Sequence, residues 1–310
     1  MKYLFIILSL LDFTSLVAQT AEEFSHRADV QIEKRDFKNA LKEIDRAVDM
    51  EPKNPVFHCQ RGDILVELGR GQDAFDAFTK AISYDPDYAL AFNDRAMLME
   101  AAGMFNDAIE DYDRAIINAG TDTMKFAFIT NRAVARMKVR DFRGAYKDLT
   151  DAYHFDSTNV ASLNNLATVC NELGQDELAL KYLFRVLELD PTLYGANTNI
   201  GYIYQGMGDH EEAIIYFNRH LANSPNDPLA YNNRAYSKLQ LKDIDGALKD
   251  VERSLKLYPS NSYAYRNRAL IYLAQNKNKK ACEDLRLALD KGFTEQYGPE
   301  VEEIMRKECK

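Results

Sequence analysis

The chain has 310 residues with 39 basic and 48 acidic side chains, a net charge of −9, and 46% hydrophobic and 11% aromatic residues. That balance argues against disorder, and the acidic excess argues against a nucleic-acid binder, which needs a basic face. Four cysteines (Cys59, Cys170, Cys282 and Cys309), far apart, with no CxxC spacing and no adjacent histidine set, argue against a zinc site.

The first twenty residues stand apart from the rest. Lys2 precedes an apolar run from Tyr3 to Leu11 broken only by Ser9, and a short stretch then closes on Val17-Ala18-Gln19. The run is too short to span a bilayer, which takes about 20 apolar residues. A charged start, a short apolar middle and a small residue at the end predict a signal peptide over residues 1–20, cleaved after Ala18 or Gln19. The alternative is an uncleaved anchor. Cleavage would place the mature protein in the periplasm or outside the cell.

From Ala21 onward a period governs the chain. Alanine recurs at Ala40, Ala74, Ala108, Ala145, Ala179, Ala213, Ala247 and Ala281, at intervals of 34 residues with one interval of 37. With this alanine at position 20, units begin at Ala21, Pro55, Ala89, Phe126, Val160, Tyr194, Pro228 and Ser262. Position 8 is then always alanine or glycine, position 24 always apolar or aromatic, and position 32 proline in five units. Small residues at positions 8 and 20 let two helices approach closely. Glycine-containing stretches such as Leu68-Gly69-Arg70-Gly71 permit the reversal between them, and proline near the end stops the second helix. A fixed period of this length marks a solenoid, in which each unit buries its apolar face against its neighbours.

The pattern of small residues at 8, 20 and often 27, apolar or aromatic 24 and proline 32 resembles the tetratricopeptide repeat (TPR), most closely in Tyr194 to Asp227. The tryptophan common at position 4 is replaced, by Phe24, His58, Phe92, Leu163, Tyr231 or Tyr265 among others. The resemblance implies an all-α fold: a right-handed solenoid of antiparallel helix pairs closed by a C-terminal capping helix. Repeats one to three cover residues 21–122, and the extra residues Thr123-Met124-Lys125 form an insertion at which a bend is expected. Repeats four to eight cover 126–295, and residues 296–310, with Pro299 at a helix start, form the cap.

Comparing the units with one another exposes two further patterns. Position 7 is arginine in six units, and position 23 of the same unit is acidic in five of them, which predicts structural ion pairs Arg95–Asp111, Arg132–Asp148, Arg234–Asp250 and Arg268–Asp284, with Arg27–Glu43. Where position 7 is Leu166 or Ile200, position 23 is tyrosine instead, Tyr182 or Tyr216. Position 6 is asparagine in five consecutive units: Asn131, Asn165, Asn199, Asn233 and Asn267.

In the TPR family the first helix of each repeat lines a concave groove, and position 6 faces into it. The resemblance therefore implies a peptide-binding groove formed by these asparagines with Asn164, Asn232, Tyr202, Tyr236 and Arg266. Asparagine offers donors and an acceptor, so a row of them can pair with an extended backbone irrespective of its side chains. The competing reading is that asparagine merely supports the repeat. Toward the N-terminus the same face carries Asp29, Asp63 and Asp94, which favours a ligand with basic residues there. Ser25, His26 and Asp29 in the first repeat lack the cations with which co-chaperone TPR domains hold acidic peptide tails.

No GxGxxG, P-loop, HExxH or GxSxG is present, and the five histidines occupy unrelated repeat positions. The expectation is an exported, non-catalytic scaffold without cofactor or metal, binding a protein or peptide and, once its signal is cleaved, without a membrane span. The alternative is a structural subunit of a cell-envelope assembly that uses its convex or end surfaces. Cys170, at an inward position, reads as a small core residue. Cys282 and Cys309 either form a disulfide that staples the cap or remain free thiols.

Overall fold

A computed structural model describes residues 20–309; the expected signal segment, apart from Thr20, lies outside the described residues. The chain divides into two compact units, one ending at Ala135 and the other beginning at Arg136. The first unit holds α1 (Ala21–Glu33), α2 (Phe37–Met50), α3 (Pro55–Glu67), α4 (Gly71–Tyr84), α5 (Ala89–Ala101) and α6 (Phe105–Ile117). The boundary falls within α7 (Asp122–Lys138). The second unit continues with α8 (Phe142–Phe155), α9 (Val160–Glu172), α10 (Asp176–Leu189), α11 (Gly195–Met207) and α12 (His210–Asn223). It closes with α13 (Pro228–Gln240), α14 (Ile244–Leu257), α15 (Ser262–Ala274), α16 (Asn278–Asp290), α17 (Phe293–Tyr297) and α18 (Glu300–Glu308). No strand occurs among the described residues, and the chain is an all-α TPR solenoid of helix pairs.

Two helix starts per repeat set the period. Asp36, Asp141, Asp209 and Asp243 at position 16 accept the backbone N–H three residues on and open the second helix. At position 34, Asn159, Asp227 and Asn261 accept from the N–H three residues on and Asn54 from that two residues on, and so open the next first helix. Immediately before the second helix, position 15 has positive φ in every repeat. It is glycine in four (Gly69, Gly103, Gly174, Gly208) and Arg35, Arg140, Lys242 or Asn276 in the others. That left-handed residue lets the helix end and the next cap begin without a longer loop.

The core is built from the small positions. Ala28, Ala40, Ala96, Ala108, Ala167, Ala179, Ala235 and Ala247 are wholly or almost wholly buried, and apolar position 24 packs between them. Where that residue is Phe78 or Phe217, position 8 is Gly62 or Gly201, and a Cβ there would fall within 3 Å of the ring. In repeat six the expected exchange of ion pair for apolar pair has formed, and in repeat five Leu166 is fully buried with Tyr182 half-buried. Ile200 and Tyr216 lie in one cluster with Leu163 and Leu183, and Tyr216 stacks on Tyr204 at 5.7 Å.

Thr123-Met124-Lys125 lie at the start of α7, which runs to 17 residues where the other first helices have 13. At the C-terminus two helices follow α16 rather than one. Phe293 and Val301, both 0% exposed, seat α17 and α18 on the last repeat, and a disulfide joins Cys282 to Cys309. Cys170 is a free, fully buried thiol that burial pushes up to about 11. Among the described residues no helix is long and apolar enough to cross a membrane.

Candidate functional site: the first-helix faces

The position-7 arginines clamp helices together. Arg95 grips Asp111 through two bonds of 2.7 and 2.9 Å, and Arg234 and Arg268 grip Asp250 and Asp284 through pairs of 2.7 Å. The third nitrogen of Arg95 donates to Thr79 and that of Arg234 to Asn218, each at position 25 of the preceding repeat. Arg61 reaches Asp45 and Arg132 reaches Asp113 at the same place. In the second unit Asp148 accepts from Arg136 at 2.8 Å. Arg27 lies over the Phe24 ring, while Glu43 pairs with Arg46. The position-25 contacts escaped the sequence comparison because their partners vary: aspartate, threonine or asparagine.

The asparagine row is divided between two uses. Asn131 donates to Asn93 at 3.0 Å, Asn199 to Asn164 at 3.3 Å and Asn267 to Asn232 at 2.9 Å. Each bond runs from position 6 of one repeat to position 5 of the one before it. Asn267 and Asn232 are 0% and 3% exposed, so both are internal staples with no surface to offer. Arg266, expected on the groove, is also buried: its guanidinium lies between the Tyr236 and Tyr263 rings and bonds Asn267 and Glu300 of α18.

What remains open on this face of the second unit is narrower. Asn165 and Asn233 are half-buried, Asn199 is exposed, Tyr202 is 55% exposed and Tyr236 half-buried. Asn199 and Tyr202 line a recess of about 150 Å³ with Thr168 and Asn171. Gln205, which the sequence did not single out, donates to the Asn233 carbonyl and to Ser237, fixing α11 against α13.

On the corresponding face of the first unit the chemistry differs. Gln60 donates to Asp29 at 2.6 Å and accepts from Ser25. Asp94 accepts from Asn93 and from the Cys59 thiol. Desolvation by the surrounding apolar walls, with the charge of Asp94 second, pushes the Asp63 carboxyl up to about 7 although it stands at the open mouth of a groove. Burial likewise raises Asp94 and the Cys59 thiol. The buried histidines have structural partners: His58 bonds the Pro52 carbonyl, and His220 bridges Asp227 and the Tyr194 carbonyl.

Repeated helical hairpins joined through small residues at positions 8 and 20 define a repeat protein of the protein-interaction class. Models described as "Tetratricopeptide repeat" match residues 26–123, 160–227 and 232–293, and the chain belongs to that family. It is 31% identical over 119 residues to tetratricopeptide repeat protein 36 of Bos taurus, covering 36% of this chain and 63% of that one. It is 28% identical over 91 residues to the STIP1 homolog of Dictyostelium discoideum, covering 29% of this chain and 16% of that one. The aligned parts are thus less than two thirds of either relative. Among solved structures, the Cut9–Hcn1 hetero-tetramer of the APC/C matches with a TM-score of 0.60 and 19% identity, over 82% of this chain and 49% of that one.

Proposed function

We propose that this chain is an exported, non-catalytic scaffold that holds an extended protein segment along the first-helix face of its second unit. The observation that carries this reading is the set Asn165, Asn199 and Asn233, left accessible on successive first helices beside Tyr202 and Tyr236. Side-chain amides spaced by a repeat can pair with backbone groups of a bound strand, and the tyrosines add apolar area with a polar tip. Export is supported by the N-terminal sequence pattern and by the Cys282–Cys309 bond, since disulfides persist in oxidising compartments.

The test is capture of partners from the native envelope fraction, read by mass spectrometry, with wild type and with Asn165→Ala, Asn199→Ala and Asn233→Ala combined. The triple variant should lose the partner while keeping its helical melt. Recovery of the same partner would exclude this face.

A second reading, an assembly subunit using its second-helix surface, is favoured by one feature: a cavity of about 610 Å³ against α8 and α10, lined by Tyr153, Tyr182, Phe184 and Arg185. Substitutions at Tyr153 and Phe184 that abolish capture, with the asparagine variant intact, would favour it.

A further inference from the structure

The first unit carries a groove of its own on the corresponding face, where Asp94 takes the place that asparagine holds in the later repeats. Its volume, about 610 Å³, falls within the ~300–1,000 Å³ range of ligand clefts. Ile64 and Phe78 are its buried members, and Val66 and Met97 are exposed at 44% and 51%. Three carboxylates, Asp63, Glu67 and Asp94, share that lining with a single cation, Arg35. Asp63 and Glu67 have no hydrogen-bond or ion-pair partner among the described residues.

Apolar surface next to unpaired negative charge is complementary to one kind of group: an aliphatic side chain adjoining a cation. Ligand atoms of Asp63, Asp94 and Cys59 lie within 4.8 Å of one another, so one ammonium or guanidinium can touch both carboxylates. We propose that this groove docks a partner segment in which a lysine or arginine adjoins an aliphatic residue, the aliphatic part on Val66, Met97 and Leu98 and the cation at Asp63 and Asp94. The proposal shares with the functional reading the premise that first-helix faces take protein segments, but it uses different residues in a different unit. A cation there also relieves the mutual repulsion of two carboxylates held in an apolar wall, the condition that raises Asp63.

The test uses the full chain and three fluorescein-labelled short peptides, alternating Lys-Leu, Glu-Leu or Lys-Ser, followed by anisotropy at physiological salt. The Lys-Leu peptide should bind saturably and the other two should not. Asp63→Asn with Asp94→Asn should weaken it about tenfold or more, as should combining Glu67→Gln with Met97→Ser, whose exposed side chain leaves the fold intact. The asparagine triple variant should bind the peptide unchanged, which separates this site from the one in the second unit. Equal binding of the Lys-Ser or Glu-Leu peptide, or indifference to both sets of substitutions, would overturn the proposal. So would loss of binding in the triple asparagine variant. Saturation of the same carboxylates by Ca²⁺ or Zn²⁺ without peptide binding would make this a cation site instead.

Discussion

The ring of Phe217 lies directly against the backbone of Gly201: a Cβ built on that glycine would stand 2.8 Å from the ring edge. In five repeats the same two positions hold alanine with a smaller aliphatic partner, as in Ala167 with Leu183, and only Ala96 with Tyr112 combines alanine with an aromatic residue. Gly201→Ala alone should therefore overpack the hairpin and cost ~1–3 kcal/mol. Gly201→Ala with Phe217→Leu should recover most of that loss in urea melts. If the double variant is no more stable than the single, the two positions are not coupled.

Position 15 predicts a pair of opposite effects. Lys242 holds φ at 63° and is exposed, so Lys242→Gly should raise stability by ~0.5–1 kcal/mol, the relief of left-handed strain less the added freedom of the unfolded chain. Gly103, at φ 78° with open space around it, should lose ~1 kcal/mol on substitution by alanine, through the backbone alone. Thermal melts of both variants check the signs.

Arg268 and Asp284 form a two-pronged pair in which Asp284 is nearly buried. Arg268→Leu leaves that carboxylate without its partner and should cost ~3–5 kcal/mol. Adding Asp284→Tyr recreates the apolar combination of Leu166 with Tyr182 and should restore much of the loss. A double-mutant cycle measures the coupling.

The raised carboxyl of Asp63 gives a pH dependence with a definite sign. Its folded pKa, about 7, lies above the ~3.9 of an unfolded aspartate, so the protonated form favours folding. That contribution is full below about pH 4 and is lost as pH rises through about 7. Facing Asp63 are Arg35 between α1 and α2, Cys59 and Glu67 on α3, Tyr88 just before α5 and Asp94 within it. Asp63→Asn should match wild type in acid and exceed it in stability at pH 8. A melting difference that is largest in acid would contradict the assignment.

Reduction of Cys282–Cys309 opens a loop of 27 residues, for which chain entropy predicts a loss of ~3–4 kcal/mol in holding the terminal helices. Hydrogen exchange after reduction should rise over residues 293–309 and stay unchanged in the first unit.

The fold was legible because every repeat restates it: a buried alanine every 34 residues admits little besides close-packed hairpins. The ion pairs at Arg95, Arg234 and Arg268 were legible too, since the charge at position 23 changes with the residue at position 7. The asparagine row was only half readable. Composition alone does not tell Asn267, spent on Asn232, from Asn165 on the open face, because both occupy the same place in the period. Arg266 was misplaced for a related reason: Glu300, its partner, comes from α18, where the period no longer guides.

That terminal arrangement has one more consequence. A stack of hairpins ends in an apolar surface suited to another hairpin, from the same chain or from a second copy. Here Phe293 and Val301 fill that surface, Glu300 occupies Arg266, and a covalent bond holds the plug in place. A hairpin docking on that surface would have to displace α17 and α18, and the disulfide tethers them against it.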